Sequence, residues 1–446
     1  MKRRNFIKGT GAALAGTVLA QTGVLSAAAS GMLADKINIG VVGCNGMGWS
    51  NVNSLLKLQD VDLVAICDVD ENVVQQRVND YKKFRNNAPK TYKDYRELLN
   101  NRDVDAVVIG TPDHWHCRIM VDAVNAGKHV YVEKPIANSI EESRLMVAAQ
   151  EKTGKVVQAG QWQRSGPHYR KAIEIVQSGV LGKIRLVKVW AYQGWMKPVP
   201  VIPDSKAPSG VDYKFWLGPA PERPFNENRF HFNFRWFWDY AGGLMTDWGV
   251  HEIDIALYAM KAEAPISVMA SGGKLAYPDD ASETPDTLQT VFQYKDFNML
   301  WEHATGIDNG PYGRSEGIAF IGNNGTLVVN RGGYEILSEH ESQGYASTGK
   351  PKMELIEGFT KPAELNYLDL HTQNFIEAVR KNSQETLNTP IRSGSVAAIN
   401  AHMGNIAYKT GNKIFWDSKA ASFTGNPEAN KMIIPEYHNG WKIPAV

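Results

Sequence analysis

Gly43-Cys44-Asn45-Gly46-Met47-Gly48 follows the apolar run Ile37–Val42 and opens a helical pattern. A glycine-rich turn between a strand and a helix is the place where a backbone comes close to a pyrophosphate, with the helix amides and dipole facing the anion. The full fingerprint is G-x-G-x-x-G, and its middle glycine is Asn45 here. Gly43 can make the tight turn and Gly48 can allow close helix–strand contact. Asn is the side chain most tolerant of positive φ, so the turn is expected to survive the exchange. Gly43, Asn45, Gly46, Met47 and Gly48 are therefore the expected phosphate-binding turn. Asp68 ends the next apolar run, Val61–Cys67. An acid there accepts hydrogen bonds from the adenosine ribose and repels a 2′-phosphate. Val69-Asp70-Glu71 follows, with no arginine to hold such a phosphate, so NAD is expected over NADP.

Working outward, Ala106–Ile109 and Val130–Val132 are two further short apolar runs. Helical stretches such as Tyr95–Leu99 and Ile119–Ala126 separate them, the latter ended by Gly127. Strands alternating with helices imply a parallel sheet. The first domain is expected at 36–160 and a second at 161–446, which suits 446 residues better than one domain. The second half is richer in Trp, Tyr and Gly. Ile184–Tyr192, Thr287–Tyr294, Gly317–Ile321 and Leu327–Val329 read as strands, Asn366–Arg380 as a helix, and 196–224 and 340–352 as loops. The fold class is α/β: an N-terminal parallel dinucleotide-binding sheet, then an α+β domain with a large open, mostly antiparallel sheet.

Residues 1–29 read as a leader. Lys2-Arg3-Arg4-Asn5-Phe6-Ile7-Lys8 resembles a twin-arginine motif, a stretch of small apolar residues runs from Gly11 to Leu25, and Ala27-Ala28-Ala29 offers a cleavage site. Gly16, Gln21, Thr22 and Gly23 interrupt the apolar stretch, which argues against a membrane anchor. Export through the twin-arginine machinery to the periplasm is expected, with the protein already folded around its cofactor. The 48 basic residues less Lys2, Arg3, Arg4 and Lys8 leave 44 against 47 acidic, a net of −3, so nothing calls for nucleic acid or an anionic membrane. Cys44, Cys67 and Cys117 match no zinc spacing and read as small buried residues.

Thr111-Pro112-Asp113-His114-Trp115-His116 follows one strand, Glu133-Lys134-Pro135 the next, and Asp247-Trp248-Gly249-Val250-His251 lies far downstream. Together they resemble the Gfo/Idh/MocA oxidoreductases, the glucose–fructose oxidoreductase and inositol dehydrogenase family. The resemblance implies a Rossmann domain, a C-terminal domain whose sheet often forms a dimer face, and a homo-oligomer, dimer or tetramer. It implies that Thr111, Pro112, His114, His116, Glu133 and Lys134 lie along the cofactor. It also implies Lys134 and His251 as an acid–base pair, with Asp247 on the substrate hydroxyls. The residues agree with this. Oxidising an alcohol needs a group to take the hydroxyl proton, Lys134 stands directly after a strand, and His251 titrates in a useful range. Asp247 and His251 are four apart and would share one face of a helix. His114, His116 and His251 lack the Cys or acidic partners of a metal site, so no metal is expected.

Seven of the twelve tryptophans are Trp162, Trp190, Trp195, Trp216, Trp236, Trp238 and Trp248. Indoles stack on the C–H faces of sugars, or else they are core and interface. Trp162 and Trp238 are candidate sugar contacts, with Arg164 and Arg235 for hydroxyls. Gln161 follows the last strand of the first domain and is expected on the nicotinamide side. The leading expectation is an exported dehydrogenase of a sugar, polyol or glycoside that keeps its cofactor bound. A redox-neutral, NAD-dependent glycosidase is the alternative, although relatives with that chemistry carry a Tyr-Pro-Thr-His stretch where this chain has Gly243–Asp247. A non-catalytic sugar or dinucleotide sensor is a third class, because fold does not fix function.

Overall fold

The structure is a computed structural model that describes residues 36–446; the leader expected at 1–29 lies outside the described residues. Six strands build the first sheet: β1 Ile37–Val42, β2 Val61–Cys67, β3 Lys90–Tyr92, β4 Ala106–Ile109, β5 His129–Val132 and β6 Val157–Ala159. They run parallel in the order β3-β2-β1-β4-β5-β6. Both faces are covered, so β4 reads as four buried apolar residues in a row rather than as an alternation. All three cysteines are buried here. The helix expected at Ile119–Ala126 starts earlier, at Asp113, directly after Pro112. The motif Asp113–His116 is therefore the first turn of that helix.

The second sheet is built from β7 Leu186–Gln193, β8 Ser267–Gly273, β9 Thr287–Gln293, β10 Asn298–Thr305, β11 Glu316–Ile321, β12 Gly325–Asn330 and β13 Gly333–Ser338. The stretch 340–352, expected as a loop, forms a hairpin of β14 His340–Gln343 and β15 Ala346–Pro351. Both hairpin strands are exposed throughout, so no alternation marks them in the sequence. The short strands β16 Phe359–Thr360, β17 Ile414–Asp417 and β18 Ser422–Phe423 complete the ten-stranded order β16-β13-β12-β11-β7-β10-β9-β8-β17-β18. Every pairing in it is antiparallel except β7 with β10. One face packs on the helices Pro167–Ser178, Gly249–Met260 and Ile391–Thr410.

Two C-terminal helices tie the sheets together. Phe375, Ile376, Ala378 and Val379 of the helix Tyr367–Lys381 join the core on one face of the parallel sheet. The helix Ile391–Thr410 gives Ile391 and Ala398 to the other face, and Ala397, Ala401 and Ile406 to the core of the second sheet. Its Gly394 is needed because a Cβ there would come within 2.7 Å of the Ala159 Cβ. Phe375 is fully buried. Phe375→Ala is expected to cost ~3–5 kcal/mol, read by chemical unfolding followed by tryptophan fluorescence. A loss no greater than that of a surface substitution would mean that this helix is not part of the N-terminal core.

Candidate functional site

A cavity of about 580 Å3 opens at the carboxyl ends of β1, β2, β4 and β5, where open parallel sheets bind their ligands. Gly43, Asn45, Gly46 and Met47 line one wall, with Asp68 at one end. Thr111, Pro112, His116, Glu133 and Lys134 continue the floor. The opposite wall comes from far along the chain: Phe230, His231, Phe232, Phe234 and Arg235. Of this wall the sequence reading names Arg235 alone and misses the aromatic residues, although the run Phe-His-Phe-Asn-Phe-Arg at 230–235 is a visible signal.

Three glycines shape the cradle. A Cβ at Gly43 would lie 2.5 Å from the Thr111 N, one at Gly48 would lie 2.0 Å from the Gly43 O, and one at Gly110 would lie 2.5 Å from the Gly48 Cα. Gly48 therefore lies buried under the turn instead of lining the cavity. The reason expected for tolerance of Asn45 is corrected: it does not take up a positive φ but sits extended at φ −91°, ψ 168°. The left-handed positions are Gly43 (φ 78°) and Gly46 (φ 44°). Asn45 is instead the N-cap of the helix Gly46–Leu55, its Oδ1 accepting from the Gly46 N at 3.0 Å. Its Oδ1 also accepts from Arg77, and its Nδ2 lies 3.5 Å from the His231 Nδ1. Asp68 accepts from the backbone N–H groups of Cys44 (2.9 Å) and Asp70 (3.1 Å), and burial raises its pKa. A glycine cradle at a helix N-terminus with an acid at the end of β2 fits a dinucleotide.

At the other end of the cavity Lys134 and Arg235 meet two carboxyls, Asp247 and Asp113. Lys134 Nζ donates to the Asp247 Oδ1 at 2.7 Å and to the Asp247 carbonyl at 3.1 Å, and Arg235 Nε donates to the same Oδ1 at 3.1 Å. Against the cost of burial, the Lys134 and Arg235 charges hold the Asp247 carboxyl down at about 2. Asp113, only 6% exposed and on the cavity wall, goes the other way: burial outweighs the same two cations and pushes it up to about 8. It sits inside a motif the sequence singles out, but its burial is a tertiary fact. Glu133 takes Asn51 Nδ2 at 2.7 Å and the Lys134 N–H at 3.2 Å, and burial raises it.

His251 is buried, its Nδ1 has no partner, and burial together with the Lys134 and Arg331 charges moves its pKa well below the ordinary value. The single helix expected to carry Asp247 and His251 is interrupted: Asp247 ends the helix Gly243–Asp247, and His251 lies in the helix Gly249–Met260, beyond Trp248.

Most of the other predicted residues stand away from the cavity, His116 on its floor being the exception. His114 turns its Nε2 to the Trp216 carbonyl at 3.1 Å and is pushed down to about 4 by burial. His116 bridges the carbonyls of Pro135 (2.7 Å) and Thr111 (2.8 Å), which favour its charged form, but burial wins and takes it to about 4. It thereby ties the turn after β4 to the turn after β5. Gln161 is fully buried, with neither side-chain atom bonded. Arg164 grips the buried Asp254 through two bonds of 2.7 Å, so its fork is engaged inside the protein. Trp162 stacks on Tyr367 at 4.8 Å and lies under the Arg331 guanidinium. Trp238 donates to the Glu283 carbonyl and carries Lys409 over its ring. Of the other tryptophans, Trp190, Trp216 and Trp236 are core, whereas Trp195 is exposed. Among the described residues no cluster of three His, Cys, Asp or Glu is arranged to hold a metal ion, and no helix is long and apolar enough to cross a membrane.

Two outcomes follow from this geometry. Gly48→Ala should abolish dinucleotide binding in a fluorescence titration with NADH, because the new methyl would collide with the Gly43 carbonyl; normal affinity would mean that the loop is not a close-packed cradle. Burial pushes the Asp113 carboxyl up to about 8 from the ordinary 3.8, so folding takes up a proton between those limits. The stability it contributes is complete below the lower value, declines as pH rises and is gone above about 8. Relative to Asp113→Asn, which keeps the neutral shape, the wild type should lose unfolding free energy across that window. Chemical unfolding of the NAD-free protein at stepped pH reads this difference, and a flat one would mean that Asp113 is ionised throughout.

Two family models match the chain: an oxidoreductase family, NAD-binding Rossmann fold over residues 37–161, and the C-terminal α/β domain of the same oxidoreductase family over 166–300. Among curated proteins, the chain is 32% identical over 201 residues to glycosyl hydrolase family 109 protein 1 of Shewanella sp. strain ANA-3 and to the alpha-N-acetylgalactosaminidase of Shewanella oneidensis. Each match covers 41% of this chain and 44% of the relative, so the chain spans less than half the length of these relatives. Among solved structures, it is similar to the WlbA dehydrogenase of Bordetella pertussis in complex with NADH and UDP-GlcNAcA (TM-score 0.62, 19% identity, 86% of this chain and 99% of that one). It is likewise similar to a levoglucosan dehydrogenase in complex with NADH (TM-score 0.63, 18% identity, 85% and 98%). A third similar structure is the aldose-aldose oxidoreductase of Caulobacter crescentus complexed with glycerol (TM-score 0.62, 18% identity, 85% and 99%). At those identities the likeness to solved structures speaks for the fold alone. With both family models matched in order over more than half its length, the chain belongs to the Gfo/Idh/MocA oxidoreductase family.

Proposed function

We propose that the chain is an exported, NAD-dependent oxidoreductase that oxidises or reduces a hydroxyl carbon of a sugar, polyol or glycoside, with C3 of a glycoside as the preferred case, and that keeps its cofactor bound. The observation that carries this reading is the Lys134–Asp247 pair, 2.7 Å apart, whose lysine lines the same cavity as the glycine turn. When bound, NAD supplies the hydride acceptor. Lys134 holds the substrate oxygen and balances the negative charge that grows there as the C–H bond breaks. His251, neutral in its buried site, takes the hydroxyl proton on its imidazole. Asp247 stays ionised and keeps Lys134 oriented, while Arg235 fixes the carboxylate from a second side. The hydride leaves with two electrons, the proton stays on the protein, and the product is a carbonyl. The sugar dehydrogenases among the similar structures support the substrate class.

The leader supports export, and free NAD is scarce outside the cytoplasm, which is why the cofactor is taken to be loaded before export and retained. The register of the ten-stranded sheet puts the exposed Leu186, Met269 and Leu337 on the face opposite the helices. These exposed apolar side chains support a homo-oligomer joined through that face.

The redox-neutral glycosidase reading is favoured by the glycosyl hydrolase relatives. In that case oxidation would be followed by loss of the aglycone, addition of water and reduction on the same cofactor. A glycoside panel separates the two: oxidation changes the NADH absorbance, whereas the glycosidase releases aglycone with no net change. The mature protein, purified without added cofactor, should release NAD(H) on denaturation. Lys134→Ala should keep that cofactor and lose about 10²–10⁴-fold in kcat. Failure to act on any glycoside, with cofactor verified as bound, would sink both readings.

A further inference from the structure

The proposed chemistry leaves unused a half-buried charge, Arg331. Arg331, in the turn between β12 and β13, lays its guanidinium 4.8 Å from the ring centre of Trp162 and 4.3 Å from that of Trp248. Its backbone N–H donates to the Glu316 Oε1 at 3.1 Å, and its side-chain Nε is buried without a partner. Two carboxyls accompany it: Glu252, fully buried beside His251 in the sequence, and Glu316, 6% exposed. Glu252 takes both its side-chain hydrogen bonds from Gln163 Nε2, at 3.1 and 3.2 Å. Burial and each other's proximity push Glu252 well up, and burial raises Glu316, so the pair keeps a proton. One cation thus faces about one negative charge, which is the balance a buried group requires.

The two indoles that hold Arg331 are also the two that touch the His251 ring. Trp162 meets it at 5.9 Å and Trp248 at 6.5 Å, both edge to face. Tyr367, stacked on Trp162, backs the first of them. Four separate segments are brought together to make this cluster, and nothing in the parallel sheet requires it. We propose that Arg331 is a positioning residue for His251: clasped by the two indoles on which the imidazole rests, and balanced by the Glu252–Glu316 pair, it fixes the orientation of that ring in the site.

This rests on the reading that His251 moves the substrate proton. A planar guanidinium stacks flat on an indole face, whereas a lysine ammonium is a compact, strongly hydrated point charge that does not stack. Its charge has a second effect. The titratable groups facing His251 are Lys134, Arg331 and His371, and each disfavours the protonated imidazole. Of the acids nearby in the sequence, Asp247 is tied to Lys134 and Arg235, and Glu252 is turned to Gln163. Arg331 therefore both orients the ring and keeps it a free base.

The test uses the full chain with ¹⁵N-labelled histidine, and His251 is assigned by the signal that His251→Asn removes. It needs no substrate, so it is read whether or not a glycoside is ever turned over. Arg331→Met should raise the His251 pKa by about one unit, a tenfold gain in proton affinity, and should collapse the ring-current displacement that the indoles impose on its carbon-bound protons. Removing the cation leaves the two glutamates uncompensated, so Arg331→Met/Glu316→Gln serves if the single variant does not fold. Arg331→Lys should keep the affinity within about twofold but lose the ring-current displacement, and in the active enzyme it should lower kcat about tenfold with KM unchanged. A His251 titration and ring-current pattern in the folded double variant identical to the wild type would overturn the proposal. So would an Arg331→Lys protein that keeps the displacement.

Discussion

One carboxylate oxygen, the Asp247 Oδ1, carries both Lys134 and Arg235, and the site depends on it. Lys134 comes from the end of β5, Arg235 from the aromatic wall and Asp247 from a helix against the second sheet, so the bond joins three parts of the chain. Such a cluster is a poor source of net stability, since desolvating the ions costs about as much as their attraction returns. Removing one partner is another matter, because it strands a buried charge at roughly 3–5 kcal/mol. A site held this way is therefore rigid toward partial loss. The cost of burying the charges is offset only where the pinned lysine has work to do.

The parts of the fold that were legible in the sequence are those whose burial leaves a local mark. β1, β2 and β4 are covered on both faces and appear as apolar runs, unbroken in β4 and interrupted only by Asn38 and Asp62 in the others, and β9 alternates because only one of its faces meets helices. The helices Gly249–Met260 and Ile391–Thr410 left no such mark. Almost every residue of the first is buried, and the second serves two cores at once, so neither has a polar face to set a period. The hairpin at 340–351 is hidden for the opposite reason, having no buried face at all.

The site divides along the same line. Glu133, Lys134 and the glycine turn were legible because they follow strands, where backbone geometry alone places them at the mouth of the sheet. Asn45 was legible as a departure, but its actual role, capping a helix from an extended conformation, depends on the turn being made by Gly43 and Gly46 on either side. The tryptophans were the least legible. Trp162 and Trp248 are committed to Arg331, a residue with nothing in its own neighbourhood to announce it. Composition suggested sugar-stacking surfaces, and much of that aromatic surface serves the protein's own charges instead.

Asp113 and Asp247 stand near the same two cations and end up six units apart, about 8 against about 2. The difference is one of contact. Lys134 and Arg235 both put hydrogen bonds on Asp247, so Coulomb attraction and hydrogen bonding act together there and overcome burial. At Asp113 the same charges act only at a distance, and burial prevails. Environments that push two carboxyls apart assign them different tasks. Asp247 can only accept and orient, whereas burial keeps the proton on Asp113 further up the pH scale, so that it can donate a hydrogen bond into the cavity it lines.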